Sequence, residues 1–295
     1  MSMMIPSVAL LTRTSMLATH QSFRMISSSN LPQNLNLKDI KFSRTDDGIA
    51  VISLDRPVAR NAFSKSMARE FTSIVDFLRD DRESRVVVIE SSVEKVFCAG
   101  ADLKERLTME EHEVGPFVEG LRRMFTGLEK LPMPTIAAVE GAALGGGLEL
   151  AMCCDLRVAG SGALFGLPET SLAIIPGAGG TQRLPRLIGV ARAKELIFTA
   201  DRIGASRAEA IGLVNHAVPA GEATSKALEI ARAIAKNGPV AVRMAKAAVS
   251  AGMQCDLATA MDVERGCYAQ VITTKDRTEG LLAFREKRKP EYRGK

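Results

Sequence analysis

Gly141-Ala142-Ala143-Leu144-Gly145-Gly146-Gly147-Leu148-Glu149-Leu150-Ala151 is the stretch on which the reading of this chain turns. An apolar run, Pro134 to Val139, leads into it and reads as a buried strand. Three consecutive glycines follow, then a helix-like segment that carries Glu149. Glycine lets another backbone or a ligand come close. A helix that starts directly after it offers unpaired backbone N–H groups and the positive end of its dipole. That combination suits negative charge developing on a ligand oxygen. A carboxylate one step into the same helix can move protons beside it. A strand-to-helix turn in which glycine merely aids packing has the same composition, so the stretch does not fix a function by itself.

Two further stretches narrow the choice. Phe97-Cys98-Ala99-Gly100-Ala101-Asp102-Leu103-Lys104-Glu105 also follows a buried-strand pattern, Val86 to Ile89. Two small-residue turns after apolar strands can supply two N–H donors to one oxygen. Gly166-Leu167-Pro168-Glu169-Thr170 then leads to Ile174-Ile175-Pro176-Gly177-Ala178-Gly179-Gly180-Thr181-Gln182-Arg183, a second carboxylate before another glycine-rich turn. Glu149 and Glu169 are candidates for paired acid–base work, with pKa values raised by apolar surroundings.

Outward from these stretches the chain alternates strand and helix patterns, which predicts an α/β fold. Gly48 to Leu54 reads as a strand, and a helix opens near Ser64 with Met67, Phe71, Ile74 and Leu78 on one face. Thr108 to Leu131 reads as one long helix, with Thr108 and Glu111 at capping-box spacing and Val114, Phe117, Val118, Leu121, Met124, Phe125 and Leu128 as its stripe. Gly115-Pro116 inside it predicts a kink or a late start. Asp155 to Ala159 and Ala163 to Phe165 read as strands, and Ser206 with Glu209 as the capping box of a short helix. From about Gly221 strand patterns stop, and helices are predicted over 227–236, 241–253, 257–272 and 275–287.

The composition excludes several classes. With 295 residues, 46% hydrophobic and 25% charged, the chain supports a large core. No apolar run approaches the roughly 20 residues of a membrane-spanning helix. Cys98, Cys153, Cys154, Cys255 and Cys267 are odd in number and form no C-x-x-C pair, so reduced, packed thiols are expected. His20, His112 and His216 are scattered, and no metal site is expected. The net charge of +5 suits an anionic ligand such as a phosphate, or RNA. Residues 1–30 are rich in Ser, Thr and Met, carry Arg13 and Arg24, and precede the first acid, Asp39. That is the composition of a mitochondrial transit peptide, so a matrix location is expected.

Taken together, the three glycine-rich stretches resemble the enoyl-CoA hydratase/isomerase (crotonase) superfamily. The likeness runs from about Lys41 to the C-terminus. A finer likeness, to the mitochondrial methylglutaconyl-CoA hydratases that are also described as AU-rich-RNA-binding, rests on Phe97 to Arg106, Glu113 to Val118, Leu172 to Pro176, and Lys275-Asp276-Arg277 through Arg288. The resemblance implies a crotonase spiral of β-β-α units over 31–220 and a C-terminal helical region over 221–295 through which homotrimers, or dimers of trimers, form. Val240, Val242 and Met244 belong either to that interface or to the intramolecular core.

It also implies water addition across the 2,3 double bond of an enoyl-CoA thioester, with no cofactor besides the coenzyme A of the substrate. The backbones of Ala101 and Gly146 would form the oxyanion hole, Glu149 and Glu169 would be the two catalytic glutamates, not assigned individually, and Gly177 would help position the water. Coenzyme A would meet the backbone near Val58 to Arg60, Ala99, and the Ala101 to Lys104 turn with Asp102 and Leu103; Phe284 and Lys287 would reach the CoA of a neighbouring subunit. The acyl-CoA substrate implied is methylglutaconyl-CoA of leucine degradation. The alternatives are a general short-chain enoyl-CoA hydratase of fatty-acid β-oxidation, an enoyl-CoA isomerase, and an RNA-binding protein acting through Lys65 and Arg69, where Ser73 dilutes the charge. The related isomerases commonly keep only the later carboxylate, so Glu149 favours a hydratase. For the carboxylate of a branched acyl group the sequence alone places no cationic partner.

Overall fold

The computed structural model describes residues 37–295; the segment read as a transit peptide lies outside the described residues, as do residues 31–36. Its strands are β1 (Ile40–Arg44), β2 (Ile49–Leu54), β3 (Val86–Ser91), β4 (Val96–Cys98), β5 (Thr135–Val139), β6 (Ala142–Leu144), β7 (Leu156–Gly160), β8 (Leu164–Gly166), β9 (Arg202–Gly204) and β10 (His216–Val218). They form a six-stranded sheet, β1-β2-β3-β5-β7-β10, and a four-stranded sheet, β4-β6-β8-β9. The pairs β3/β4, β5/β6 and β7/β8 each split, one strand to each sheet, so the chain winds as a spiral of β-β-α turns. This is the crotonase-type α/β fold. Within the large sheet all neighbours from β2 onward are parallel.

Both faces of the large sheet are covered, so its strands read as unbroken apolar runs. Along β3, Val86 and Val88 face one way and Val87 and Ile89 the other, the period of two that a strand imposes. Val86, Val88, Ile49, Ile136 and Val158 pack against the alanine-rich face of α8 (Ala223–Ala235). The opposite face packs on the main core with α1 (Lys65–Asp80) and α3 (Glu111–Glu129). The Ser64 hydroxyl caps α1 by accepting from the Met67 N–H at 3.1 Å, and Met67, Phe71, Ile74 and Leu78 are buried. Glu70 is buried on the same helix, where its carboxylate accepts from the Lys38 and Asp39 N–H groups at 2.9 and 2.8 Å and fastens the chain entering β1.

Two helix boundaries differ from the sequence reading. The expected Thr108–Leu131 helix is two elements: α2 (Leu103–Leu107), which ends at Thr108, and α3, which starts at Glu111. Thr108 and Glu111 do not form a capping box. Asp102 caps α2 instead, and Glu113 reaches back to the Glu110 N–H at 3.0 Å. α3 runs through Pro116, close enough to its start that the missing N–H costs a single hydrogen bond. Val114 and Val118 are only half-buried. Likewise α7 (Ala205–Ala210), which follows α4 (Gly146–Met152), α5 (Gly180–Ile188) and α6 (Val190–Thr199), is capped by Gly204; Ser206 lies inside it, and Glu209 accepts from the Ala217 N–H at 2.9 Å.

The C-terminal helices are α9 (Pro239–Gly252), α10 (Leu257–Ile272) and α11 (Lys275–Glu286). α9 and α10 pack on each other, yet neither has a fully buried residue. Val249, Met253, Leu257, Met261, Tyr268 and Phe284 remain exposed, a large apolar face for a single chain. Among the described residues no helix is long and apolar enough to cross a membrane.

Candidate active site

Three turns build the site. The first, Ala99 to Asp102, is held by its main chain: Ala99 N–H donates to the Arg60 carbonyl at 3.0 Å, Phe63 N–H to Gly100 O at 2.7 Å, and Asp102 N–H to Phe63 O at 2.9 Å. Asn61, fully buried, supports it from beneath by donating from Nδ2 to the Phe97 carbonyl at 2.9 Å. Gly100 N–H donates to Cys98 Sγ at 3.5 Å, so the N–H groups on either side of Ala101 are both engaged; that of Ala101 itself takes no acceptor among the described residues. The second turn, Gly145 to Gly147, opens α4. Gly146, its first helical residue, likewise has an N–H with no acceptor.

The two turns press together. Gly100 has φ +100°, and a Cβ there would meet Leu144 O at 2.9 Å and the Gly146 nitrogen at 3.2 Å. A Cβ on Gly146 would lie 3.5 Å from the Ala101 nitrogen. The free N–H groups of Ala101 and Gly146 are therefore neighbours.

The carboxylates come from the second and third turns. Glu149, one turn into α4, is 3% exposed. Its Oε1 accepts from the Ala178 and Gly180 N–H groups at 2.8 and 2.7 Å, at the N-terminus of α5. Burial pushes its pKa up, while those two amides and the nearby Arg183 and Arg122 charges pull it back. Glu169 lies on a 3-10 turn, Pro168–Leu172, that ends at Ala173 with φ +56°. That left-handed conformation favours glycine, yet alanine holds it here. A Cβ on Gly145 would come within 3.0 Å of Glu169 Oε1, so this carboxyl stands directly over the glycine turn. Its Oε2 is buried with no hydrogen-bond partner among the described residues. Burial, reinforced by the Glu149 charge, pushes the Glu169 pKa up to about 7.

Glu149, Glu169, Ala101 and Gly146 line one cavity of about 580 Å³. Ala99, Leu103 and Gly177 line it as well. The other residues expected to bind CoA do not. Asp102 spends its carboxylate on capping α2 and on Arg56 at 2.8 Å. Arg60 is exposed, with φ +51°, and gives its carbonyl to Ala99. Lys104 is exposed on α2. Phe284, 87% exposed on α11, and Lys287, which ends that helix, are away from the cavity within one chain.

The structure adds groups that sequence reasoning did not single out: the Ala178 and Gly180 amides that orient Glu149, and Arg106 and Arg122 on the cavity wall. The amides had a signal in the Gly177 to Gly180 run; the arginines had none.

A family model described as enoyl-CoA hydratase/isomerase matches residues 44–295. The chain belongs to the enoyl-CoA hydratase/isomerase family. It is an enzyme, a hydro-lyase. It is 52% identical to the mitochondrial methylglutaconyl-CoA hydratase of Mus musculus over 84% of its own length and 80% of that protein. It is also 52% identical to the mitochondrial enoyl-CoA hydratase domain-containing protein 2 of Homo sapiens, over 85% of its length and 87% of that protein. Among solved structures, the enoyl-CoA hydratase of Bacillus anthracis matches with a TM-score of 0.86 at 50% identity, over 88% of this chain and all of that one.

Proposed function

We propose that this chain adds water across the 2,3 double bond of an enoyl-CoA thioester in the cavity shared by Glu149 and Glu169. The thioester oxygen sits on the Ala101 and Gly146 N–H groups. As the oxygen of water bonds to the β-carbon, the π electrons move toward the α-carbon and the thioester oxygen. The two amides hold that charge, each worth about 3 kcal/mol by the precedent of other oxyanion holes, and the α4 dipole adds to Gly146. Glu149, oriented by Ala178 and Gly180 and aided by two arginine charges, takes the proton of water. Glu169, protonated up to near pH 7, delivers a proton to the α-carbon. The family's reaction asks for no cofactor beyond the CoA of the substrate. Gly177 and the Ala99 and Leu103 stretch serve the water and the CoA arm.

The observation that carries this reading is a single cavity joining both carboxyls to two free, adjacent N–H groups. Glu149 beside Glu169 also supports hydration over isomerisation, and product analysis with a 3-enoyl-CoA separates the two. In the decisive assay, purified protein hydrates crotonyl-CoA and methylglutaconyl-CoA, and Glu149→Gln and Glu169→Gln each lose about 10³-fold. Full activity in both variants ends the proposal.

The finer reading is methylglutaconyl-CoA hydration in leucine degradation, in the mitochondrial matrix, by a trimer formed through α9 to α11. It is supported by the mouse relative and by the apolar helical face. The human relative of equal identity carries no particular acyl group in its name, so substrate kinetics are needed to choose. RNA binding has no comparable support: Lys65 Nζ is paired with Glu113 at 2.8 Å.

A further inference from the structure

The cavity holds two guanidinium groups besides its two carboxyls, and they differ in one respect. Arg122 is spent: it donates to Glu119 Oε2 at 2.7 Å and to the Gly177 carbonyl at 2.9 Å. Arg106 is half-buried on α2, and its side chain has no hydrogen-bond or ion-pair partner among the described residues. The acids nearest to it in sequence are engaged elsewhere. Asp102 pairs with Arg56, Glu105 accepts from the Lys65 N–H at 2.9 Å, and Glu110 faces His112 at 3.3 Å. Much of the wall around it is apolar, including Phe117, Val118, Leu121 and Leu172. A guanidinium offers five donors in a rigid fork. Half-withdrawn from water beside apolar side chains, it costs free energy until an anion meets it.

We propose that Arg106 receives a carboxylate at the far end of the acyl chain, so that the enzyme selects enoyl-CoA thioesters whose acyl group carries a terminal carboxylate. This rests on the hydratase reading above and assigns the residue that would tell a carboxylated acyl chain, such as the methylglutaconyl group, from a plain one. The placement fits. Ala101 holds the thioester oxygen, α2 begins two residues later, and Arg106 lies one helical turn past Leu103, about 4.5 Å along the axis. An acyl chain anchored at Ala101 and running beside α2 brings its distal end to that side chain. Planar, bidentate pairing with a carboxylate is what an arginine does better than a lysine. The phosphates of CoA are the other anionic source, and they belong to every substrate alike.

The test uses that difference. We compare kcat/KM for glutaconyl-CoA with that for crotonyl-CoA, the same chain without the carboxylate, in wild type, Arg106→Met and Arg106→Lys. We also compare the Kd of the unreactive glutaryl-CoA with that of butyryl-CoA. The glutaconyl-to-crotonyl ratio is expected to fall about 30-fold in Arg106→Met, equivalent to about 2 kcal/mol, and to recover partly in Arg106→Lys. Three results overturn the proposal: a ratio within threefold of wild type, equal losses on both thioesters, which assign Arg106 to CoA phosphate or to the fold, or a wild-type enzyme that hydrates crotonyl-CoA and refuses the carboxylated chain. If the wild type hydrates neither, the hydratase reading falls by itself. The two saturated ligands then decide: selective weakening of glutaryl-CoA in Arg106→Met upholds the carboxylate site, and parallel weakening removes it.

Discussion

Replacing Glu169 by Gln should cost about 10³-fold in turnover and yet remove a destabilisation that the native glutamate carries at alkaline pH. The unfolded glutamate ionises at 4.5 and the native one at about 7, raised by burial and by the Glu149 charge. Between these values the native state keeps a proton that the unfolded state has lost, so stability falls as pH rises from 4.5 through 7. The penalty is absent below 4.5 and fully present above 7. At about 1.4 kcal/mol per pH unit the gap between 4.5 and about 7 amounts to at most about 3–4 kcal/mol. Glu169 is half-buried, and solvent screening brings this to about 1.5 kcal/mol. For a domain of this size that is roughly 3–6 °C in Tm. Glutamine also adds terms that do not depend on pH, since the Oε2 site offers no partner. The reading is therefore the difference between two differences. The Tm of Glu169→Gln minus that of wild type, followed by thermal scanning from pH 5 to pH 8.5, should rise by a few degrees across the range. A flat difference would show that Glu169 titrates as an ordinary surface carboxylate, and the assignment of the general acid would go with it.

Two further outcomes follow from the packing. Gly147→Ala places a Cβ 2.1 Å from the Cys98 carbonyl oxygen, a backbone atom that cannot turn aside, so the variant should lose several kcal/mol or fail to fold. Gly115→Ala, with open space around it on α3, should gain about 0.5–1 kcal/mol in the same urea titration, and equal midpoints for the two would refute the contact. Val249→Asp, on the exposed face of α9, should lower the mass measured by light scattering if that face joins subunits; an unchanged oligomer moves the interface elsewhere.

Much of the framework is legible in the sequence because it repeats. The α1 stripe, the apolar runs of β3 and β5, and the two glycine turns each announce themselves over five or more residues. β4, β6, β9 and β10 have three residues each, too few for a period to show. The break between α2 and α3 was masked because Asp102, Thr108 and Glu110 all look like starts within nine residues; only the Arg56 pair and the Lys104 and Glu105 amides single out Asp102. At the site, Glu149 and Glu169 stood out through their glycine context. Their partners did not, because Ala178 and Gly180 act through backbone N–H groups that no side chain advertises. Arg106 and Arg122 look like ordinary helix-surface charges until the cavity gives them an inside.

The glycine run does two jobs with one contact. Gly147 has no side chain because the Cys98 carbonyl occupies its place, and Gly100 has none because Leu144 O and the Gly146 nitrogen occupy its own. Those close approaches hold the turn after β4 against the end of β6 and the start of α4, in continuation of the β4/β6 pairing. The same approaches set the Ala101 and Gly146 N–H groups side by side with no acceptor of their own. In most folds, orphaned donors at a helix start are capped by a serine, threonine or aspartate. Here Gly145 stands at that position and offers no side chain, and the carboxyl poised over it, Glu169, carries an unpartnered oxygen. A side chain at residue 145 would press on Glu169 Oε1 at 3.0 Å from a backbone with φ +53°, so the usual capping residue does not fit beneath this carboxyl. On the proposed reading, two amides without acceptors and one half-buried acid carry a cost that a bound thioester would relieve.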